Sequence, residues 1–417
     1  MKKMKKMKKL LIITAMMASA VAASAQKAET IETCAANQHD TEWYEQQVKA
    51  WQKIVDEEPS SQWAWRNLFR ATFYVDMFNN RFANPDDTTI STHRVMREME
   101  RRVPDSFVTH LSRLRYDPDN KPADHIVRAI ELLPETVVAE DLSYLAARSW
   151  LYPQCVSPEK RNELFTKAYR RGAIPERIMR YNWNMLSAVG KNALYFGNGD
   201  NNLIPGKMLQ EAIGWRSDIT IIPLSHLCEA SFRSALCAEL GIEPFKVSHD
   251  FREYRDKYDA EWREHFYADI IMHIITQTHR PAYFFPDIMS HAALNADNLY
   301  NEGLLLKYSD VKYDNFGTAM RNVEEVYHLE YLTEPDLVYS SWSTSSMLEA
   351  NYVTMLAGIV RKFSEGGKLH QAAKLFRILC SCLDRCTLDA DHKQWFVKEL
   401  CDKSGASIKE VEEAMSR

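Results

Sequence analysis

Apolar positions along most of this chain return at the three- and four-residue intervals of an amphipathic helix. Trp43, Tyr44, Val48, Trp51, Ile54 and Val55 form the first such stripe, which Pro59 ends. A second runs through Trp63, Trp65, Leu68, Phe69, Ala71 and Phe73. The arrangement returns at residues 125–134, followed by Leu142, Tyr144, Leu145 and Ala146, and a further helical segment covers 164–169. Helix, proline, helix, with Ala50, Ala71 and Ala129 small enough to let two axes approach, is the layout of a tetratricopeptide-like hairpin. The irregular spacing predicts degenerate hairpins rather than a regular array. Residues 85–122 read as one short helix between long loops, and Trp262 to Thr276 as a strong helix. Near the end, residues 351–365, a Gly366-Gly367 break and residues 369–386 repeat the hairpin theme.

The periodicity changes between Asn192 and Leu227. An apolar run, Ala193 to Phe196, enters a turn-rich loop, Gly197-Asn198-Gly199-Asp200-Asn201-Asn202. Helical spacing follows through Met208, Leu209, Ala212 and Ile213, and then a β-branched run, Ile219 to Ile222. Strand, loop, helix, strand is the βαβ pattern, whose ligands sit at the carboxyl ends of the strands. Prolines 281 and 286 bracket a strand of about four residues, since proline cannot pair within a sheet. Leu304 to Tyr308 is a weaker strand signal. The expected fold is mainly helical, with degenerate tetratricopeptide-like hairpins flanking a small Rossmann-like βαβ module. The implied regions are 26–186 and 346–417, both helical, with the α/β module at 187–345.

Composition adds a compartment. Six lysines within the first nine residues, an apolar stretch from Leu10 to Ala23 and the small residues Ala23-Ser24-Ala25 make a signal peptide, residues 1–25. About 14 apolar residues are few for a membrane span, which disfavours the alternative of a retained anchor. The expected location is periplasmic or extracellular. Removing those lysines takes the formal charge from −5 to −11, a poor balance for nucleic acid or an anionic membrane. Cysteines 380, 382, 386 and 401 can be arranged as a metal set, but their spacing lacks the paired turns of zinc sites. Buried thiols or one Cys386–Cys401 bridge suit them better, and no metal or cofactor is expected.

The candidate ligand-binding residues are Asn198, Asp200, Asn201, Asn202, His226, Arg280 and Tyr283. The first four offer oxygen donors to a cation or to sugar hydroxyls; equally, they satisfy a turn and cap the helix that Pro205 would begin. His226, after the second strand, stands at the same sheet edge as Asp200 and could pair with it as base and orienter; the alternative is a packed histidine. Tyr283, Asp287 and Glu302 would suit the rim of a carbohydrate cleft. The four N-terminal tryptophans are either a stacking surface or core. Neither a phosphate-binding glycine motif, a Gly-x-Ser-x-Gly elbow nor a His-Glu-x-x-His motif occurs.

Asn198-Gly199-Asp200-Asn201-Asn202-x-x-Pro205 with Arg216-Ser217-Asp218-Ile219, then Arg280-Pro281-Ala282-Tyr283-Phe284, then Glu302-Gly303-Leu304, occur in order. This series resembles the soluble C-terminal part of DUF2723 proteins, which are protein O-mannosyltransferase-like bacterial membrane proteins. Helices at 352–383 match the family's tetratricopeptide-like end. The family block tends to carry aspartate where this chain has Asn202. No multi-spanning stretch accompanies the blocks, so the resemblance implies a relative of the accessory domain, not a transferase. The expected function is a non-enzymatic exported scaffold recognising a protein or glycan in the cell envelope. The alternative is a glycan-acting enzyme or glycosyl-transfer accessory that uses the Asn198–Asn202 loop.

Overall fold

A computed structural model describes residues 27–34, 37–83, 91–116, 122–246, 260–286, 296–334, 343–385 and 390–415. The signal segment, the aspartates at 86, 87, 117 and 119, Asp287 and Cys386 lie outside the described residues. Among those residues the chain is mainly helical, with sixteen α-helices and one mixed five-stranded sheet. It divides into two compact units between Pro134 and Glu135, the short stretch 33–38 belonging with the second. The helices at Ala139–Leu151, Pro158–Arg170 and Glu176–Ser187 therefore belong to the same unit as the sheet.

In the first unit, α1 (Thr41–Glu57) and α2 (Gln62–Phe78) form the hairpin expected from the apolar stripes. Asp40 and Ser61 start the two helices by accepting from the amides of Trp43 and Ala64. Trp51 and Trp65 are core, whereas Trp63 is exposed and Trp43 stacks on His39 at 3.7 Å. An extended segment lies on this pair, with the Ile31 carbonyl accepting from Arg66 and Arg70 at 3.2 and 3.1 Å. The segment expected to hold one short helix contains two, α3 (Thr92–Arg102) and α4 (Phe107–Arg115). Ser91 and Ser106 each cap one, so the Val103-Pro104-Asp105 break that read as loop is a short turn between helices. Helix α5 (Pro122–Glu131) packs on α4.

The second unit opens with α6 (Ala139–Leu151), α7 (Pro158–Arg170) and α8 (Glu176–Ser187). The sheet order is β2-β1-β3-β5-β4. Strands β1 (Leu194–Gly197), β2 (Thr220–Pro223) and β3 (Ala282–Phe284) are parallel, while β4 (Leu299–Asn301) and β5 (Leu306–Tyr308) add antiparallel partners. Helix α9 (Asp200–Ile213) connects β1 to β2 and ends at Gly214, which is left-handed at φ 67°. Register places Tyr195, Ile221 and Tyr283 side by side, and Phe196, Ile222 and Phe284 likewise. Successive strand residues point to opposite faces, so these rows fill the two sides of a sheet buried on both. On the tyrosine side α9 comes close through Gly206, where a Cβ would stand 2.8 Å from Leu186 Cδ1 and 3.2 Å from Ile221 Cδ1.

Helices α10 (Ala230–Leu240), α11 (Ala260–Thr278) and α12 (Asn315–Arg321) follow, then α13 (Ser343–Glu365), α14 (Leu369–Arg385), α15 (Ala390–Ser404) and α16 (Ile408–Met415). Helix α13 packs on both α14 and α15. A buried ion pair ties α8 to α13. Arg177 Nε and Nη2 donate to the two carboxylate oxygens of Glu349 at 2.5 and 2.8 Å, and the guanidinium lies over the Tyr331 ring. No helix among the described residues is long and apolar enough to cross a membrane.

Candidate functional site

The carboxyl ends of β1 and β2 form the candidate site. After Gly197 the chain turns through Gly199, at φ 80°, a left-handed conformation that costs a residue with Cβ about 1–2 kcal/mol. Gly199 is the N-cap of α9, and no side chain caps that helix. Asp200 is the first helical residue, and Pro205 lies inside the helix, not at its start. The cap expected of an Asp or Asn side chain is therefore not made, because the loop closes by other bonds.

Those bonds come from two asparagine side chains, Asn182 and Asn202. A proline has no N–H, so Pro205 leaves the carbonyl of Asn201 without its helical donor. Asn182 on α8 supplies one, donating Nδ2 to the Asn201 carbonyl at 2.8 Å and to the Ile178 carbonyl at 2.9 Å. Asn202 donates Nδ2 back to the Asn198 carbonyl at 2.8 Å, and its own carbonyl accepts from the Tyr195 hydroxyl at 3.2 Å. The side chains of Asn182 and Asn202 thus hold the loop in shape, while Asn198 and Asp200 are exposed at its rim.

Asp200 and His226 do come to the same edge, with Arg148 of α6 between them in charge. The guanidinium of Arg148 donates Nε to the Tyr144 hydroxyl at 3.0 Å and lies 5.0 Å over that ring. Burial works against its charge, but the oxygens of Tyr144, Asp200 and Tyr152 outweigh that and hold its pKa above the usual arginine value. His226 is pushed down to about 4 by burial and then by the positive charge of Arg148. Its ring meets Tyr152 and Phe232 edge-on at 6.2 and 5.9 Å, and its Nδ1 stands 3.2 Å from Ser225 Oγ. At neutral pH the imidazole is uncharged. No hydrogen bond joins it to Asp200, so of the two readings the sequence left open, a base paired with Asp200 and a packed histidine, the geometry is that of the packed histidine. Instead a cation, a carboxylate, a neutral imidazole and two phenols share one edge, open to solvent at Asn198, Asp200 and Ser225.

Arg148, Tyr144 and Tyr152 were not singled out by motif reasoning. Their spacing of four, which sets side chains on one helical face, was the available signal.

Arg280 lies at the other end of the strands. It donates Nε to the Asn192 carbonyl at 2.7 Å, and Nη2 to the carbonyls of Ala193 and Asp218 at 3.0 and 3.3 Å. Arg216 does similar work, reaching the carbonyls of Leu186 and Gly190 at 2.7 and 2.9 Å. Asp218, held down to about 2 by Arg216, accepts from the Asn192 amide at 2.9 Å. These residues close the amino edge of the sheet.

Tyr283 also stays away from Asp200. It is 4% exposed, and its phenol is raised above its ordinary pKa by burial and by Glu302. Glu302, 5% exposed, accepts from the Tyr313 hydroxyl at 2.7 Å and sits 3.5 Å from Lys307 Nζ. Tyr283 and Glu302, offered from sequence as edges of an open carbohydrate cleft, are instead buried in a closed polar core. Among the described residues no set of three His, Cys, Asp or Glu side chains is placed to hold a metal. Cys237, Cys380 and Cys401 are free thiols, and burial raises that of Cys380 to about 12.

No family model matches the chain, and no curated protein matches it.

Proposed function

We propose that this protein is an exported, non-enzymatic binding protein of the cell envelope, and that the edge formed by Arg148, Asp200 and His226 recognises a glycan. Its helices serve as degenerate tetratricopeptide-like hairpins around a Rossmann-like βαβ module, in a soluble relative of the DUF2723 accessory domain. One observation carries the reading: residues from three separate segments, α6 and the carboxyl ends of β1 and β2, converge where βαβ units take their ligands. The chemistry also suits sugar. Asp200 accepts from hydroxyls, Arg148 donates to hydroxyl or carboxylate oxygens, and the rings of Tyr144 and Tyr152 offer apolar faces to the C–H side of a sugar. The basic, apolar and small-residue order of residues 1–25 supports export.

The test is retention of defined envelope glycans by wild type and by Asp200→Ala and Arg148→Ala variants, alongside thermal shift. A ligand that raises the melting temperature of wild type but not of the variants supports the reading. Equal binding by all three, or turnover of the glycan, overturns it.

A second reading, a glycan-acting enzyme or transfer accessory using the Asn198–Asn202 loop, draws on Ser225 Oγ lying 3.2 Å from a neutral His226. That contact places a hydroxyl against a proton acceptor. Glycan turnover lost in Ser225→Ala but retained in Tyr283→Phe would establish it.

A further inference from the structure

Arg148 carries the positive charge of the carboxyl edge, and no carboxylate among the described residues touches it. Its one hydrogen bond runs from Nε to the neutral hydroxyl of Tyr144 at 3.0 Å, and it joins no ion pair there. Asp200, on the exposed rim of the loop, acts on it only across space. A guanidinium withdrawn from water is ordinarily matched by an anion in contact. Arg177 shows that arrangement in this chain, meeting both carboxylate oxygens of Glu349 at 2.5 and 2.8 Å. Arg216, at the opposite edge of the sheet, holds Asp218 and two backbone carbonyls. Of these three, Arg148 alone has an unmatched charge. His226 registers it: after burial, that charge is what holds the imidazole down to about 4.

What remains of the Arg148 guanidinium defines a ligand group. One face lies 5.0 Å over the Tyr144 ring, and Nε is spent on the hydroxyl of that ring. Of the five guanidinium N–H bonds, the four on Nη1 and Nη2 are left, and their planar edge donates to two oxygens side by side. A carboxylate fills that edge; a lone hydroxyl fills half of it. Charge narrows the choice further. The imidazole is neutral and Asp200 is negative, so the edge offers one full positive charge and suits a single negative one. A phosphate monoester, at about −1.5 to −2, would meet more repulsion from Asp200 than a carboxylate does.

We infer that the glycan is an acidic one, and that the carboxylate of a uronic acid residue takes the Nη1–Nη2 edge of Arg148. This rests on the glycan reading above and adds the class of sugar to it.

The test is calorimetry of the tag-free full chain with oligosaccharides of galacturonate, glucuronate and mannuronate, each beside its carboxyl-reduced, neutral counterpart. The readout is the ratio of acid to neutral affinity, which separates the carboxylate from the rest of the sugar. Wild type should prefer one acid at least about tenfold, the worth of a charge-assisted pair over a neutral hydrogen bond. In Arg148→Gln the ratio should fall to about one. Asp200→Asn, at an exposed position, should raise the ratio about threefold by removing a like charge. A wild-type ratio near one, or a preference that survives in Arg148→Gln, overturns the acidic assignment and leaves the glycan reading standing. A sulfated neutral oligosaccharide bound as tightly as the best uronate also overturns it, since the edge would then read charge rather than a planar carboxylate. Binding of none of these sugars, acid or neutral, removes the glycan reading and the assignment together.

Discussion

Acid should destabilise the second unit through one residue, His226. Its folded pKa of about 4 lies below the 6.5 of a free histidine. The unfolded chain therefore takes up a proton that the native chain refuses. The sign follows: stability is full above pH 6.5 and is lost as pH falls toward 4. A gap of about two and a half pH units, at roughly 1.4 kcal/mol each, amounts to about 3 kcal/mol across that window. The perturbation is His226→Gln, which keeps a polar side chain that cannot be protonated. Because the chain has two units, a global melting curve mixes their transitions. Native-state hydrogen exchange at the amides of Ile221 and Ile222 reads the relevant opening directly. Protection in wild type should weaken between pH 7 and pH 4 by about 3 kcal/mol more than in His226→Gln. In Arg148→Ala the wild-type slope should be shallower, since the second cause of the low value is removed. Parallel wild-type and His226→Gln profiles over that range would refute the argument.

Three further outcomes follow from the packing. Glu349→Gln should cost about 3 kcal/mol in denaturant unfolding, because Arg177 keeps its buried charge without a carboxylate; Arg177→Met with Glu349→Leu should recover most of that loss. Asn182→Ala should cost about 1–3 kcal/mol by orphaning the Asn201 carbonyl, and clearly less in a Pro205→Ala background, where residue 205 regains the N–H that bonds it; a double-mutant cycle with no coupling would exclude that account. Asp200→Ala should change stability by under about 1 kcal/mol, the worth of a carboxylate beside a helix N-terminus, whereas Gly199→Ala should cost about 1–2 kcal/mol through its φ of 80°; equilibrium melts of the two variants side by side check the order.

Sequence reading reached the secondary structure more readily than the site. β1 and β2 were legible because each is a short apolar run bounded by turn residues, and both pair as parallel neighbours. β4 was not, because Leu299–Asn301 is three half-buried residues without alternation. Pro205 misled because proline is at home in the first turn; here it sits six residues in, and tolerance comes from Asn182, eighteen residues before the start of α9. Nothing local to the βαβ segment announces that donor. Arg148 was missed for a related reason. Its role depends on a helix more than forty residues upstream folding across the ends of two strands, and only the Tyr144, Arg148, Tyr152 spacing hints at it.

The way arginine is used separates the two ends of the sheet. At the amino edge, Arg216 and Arg280 spend their donors on five backbone carbonyls, those of Leu186, Gly190, Asn192, Ala193 and Asp218. These carbonyls lie at the end of α8 and at the starts of the strands, and guanidinium forks suit them because several donors lie in one plane. Little capacity is left there for a ligand. At the carboxyl edge, Arg148 has one hydrogen bond, to a neutral phenol, and its charge reaches Asp200 on one side and depresses His226 on the other. A cation with donors to give beside an exposed carboxylate forms a site with both signs of charge, whose interactions strengthen once a ligand excludes water. Arg280 therefore follows the logic of sheet closure, whereas Arg148 keeps donors unspent; substituting Arg280 should cost stability first and, under the proposed function, Arg148 binding first.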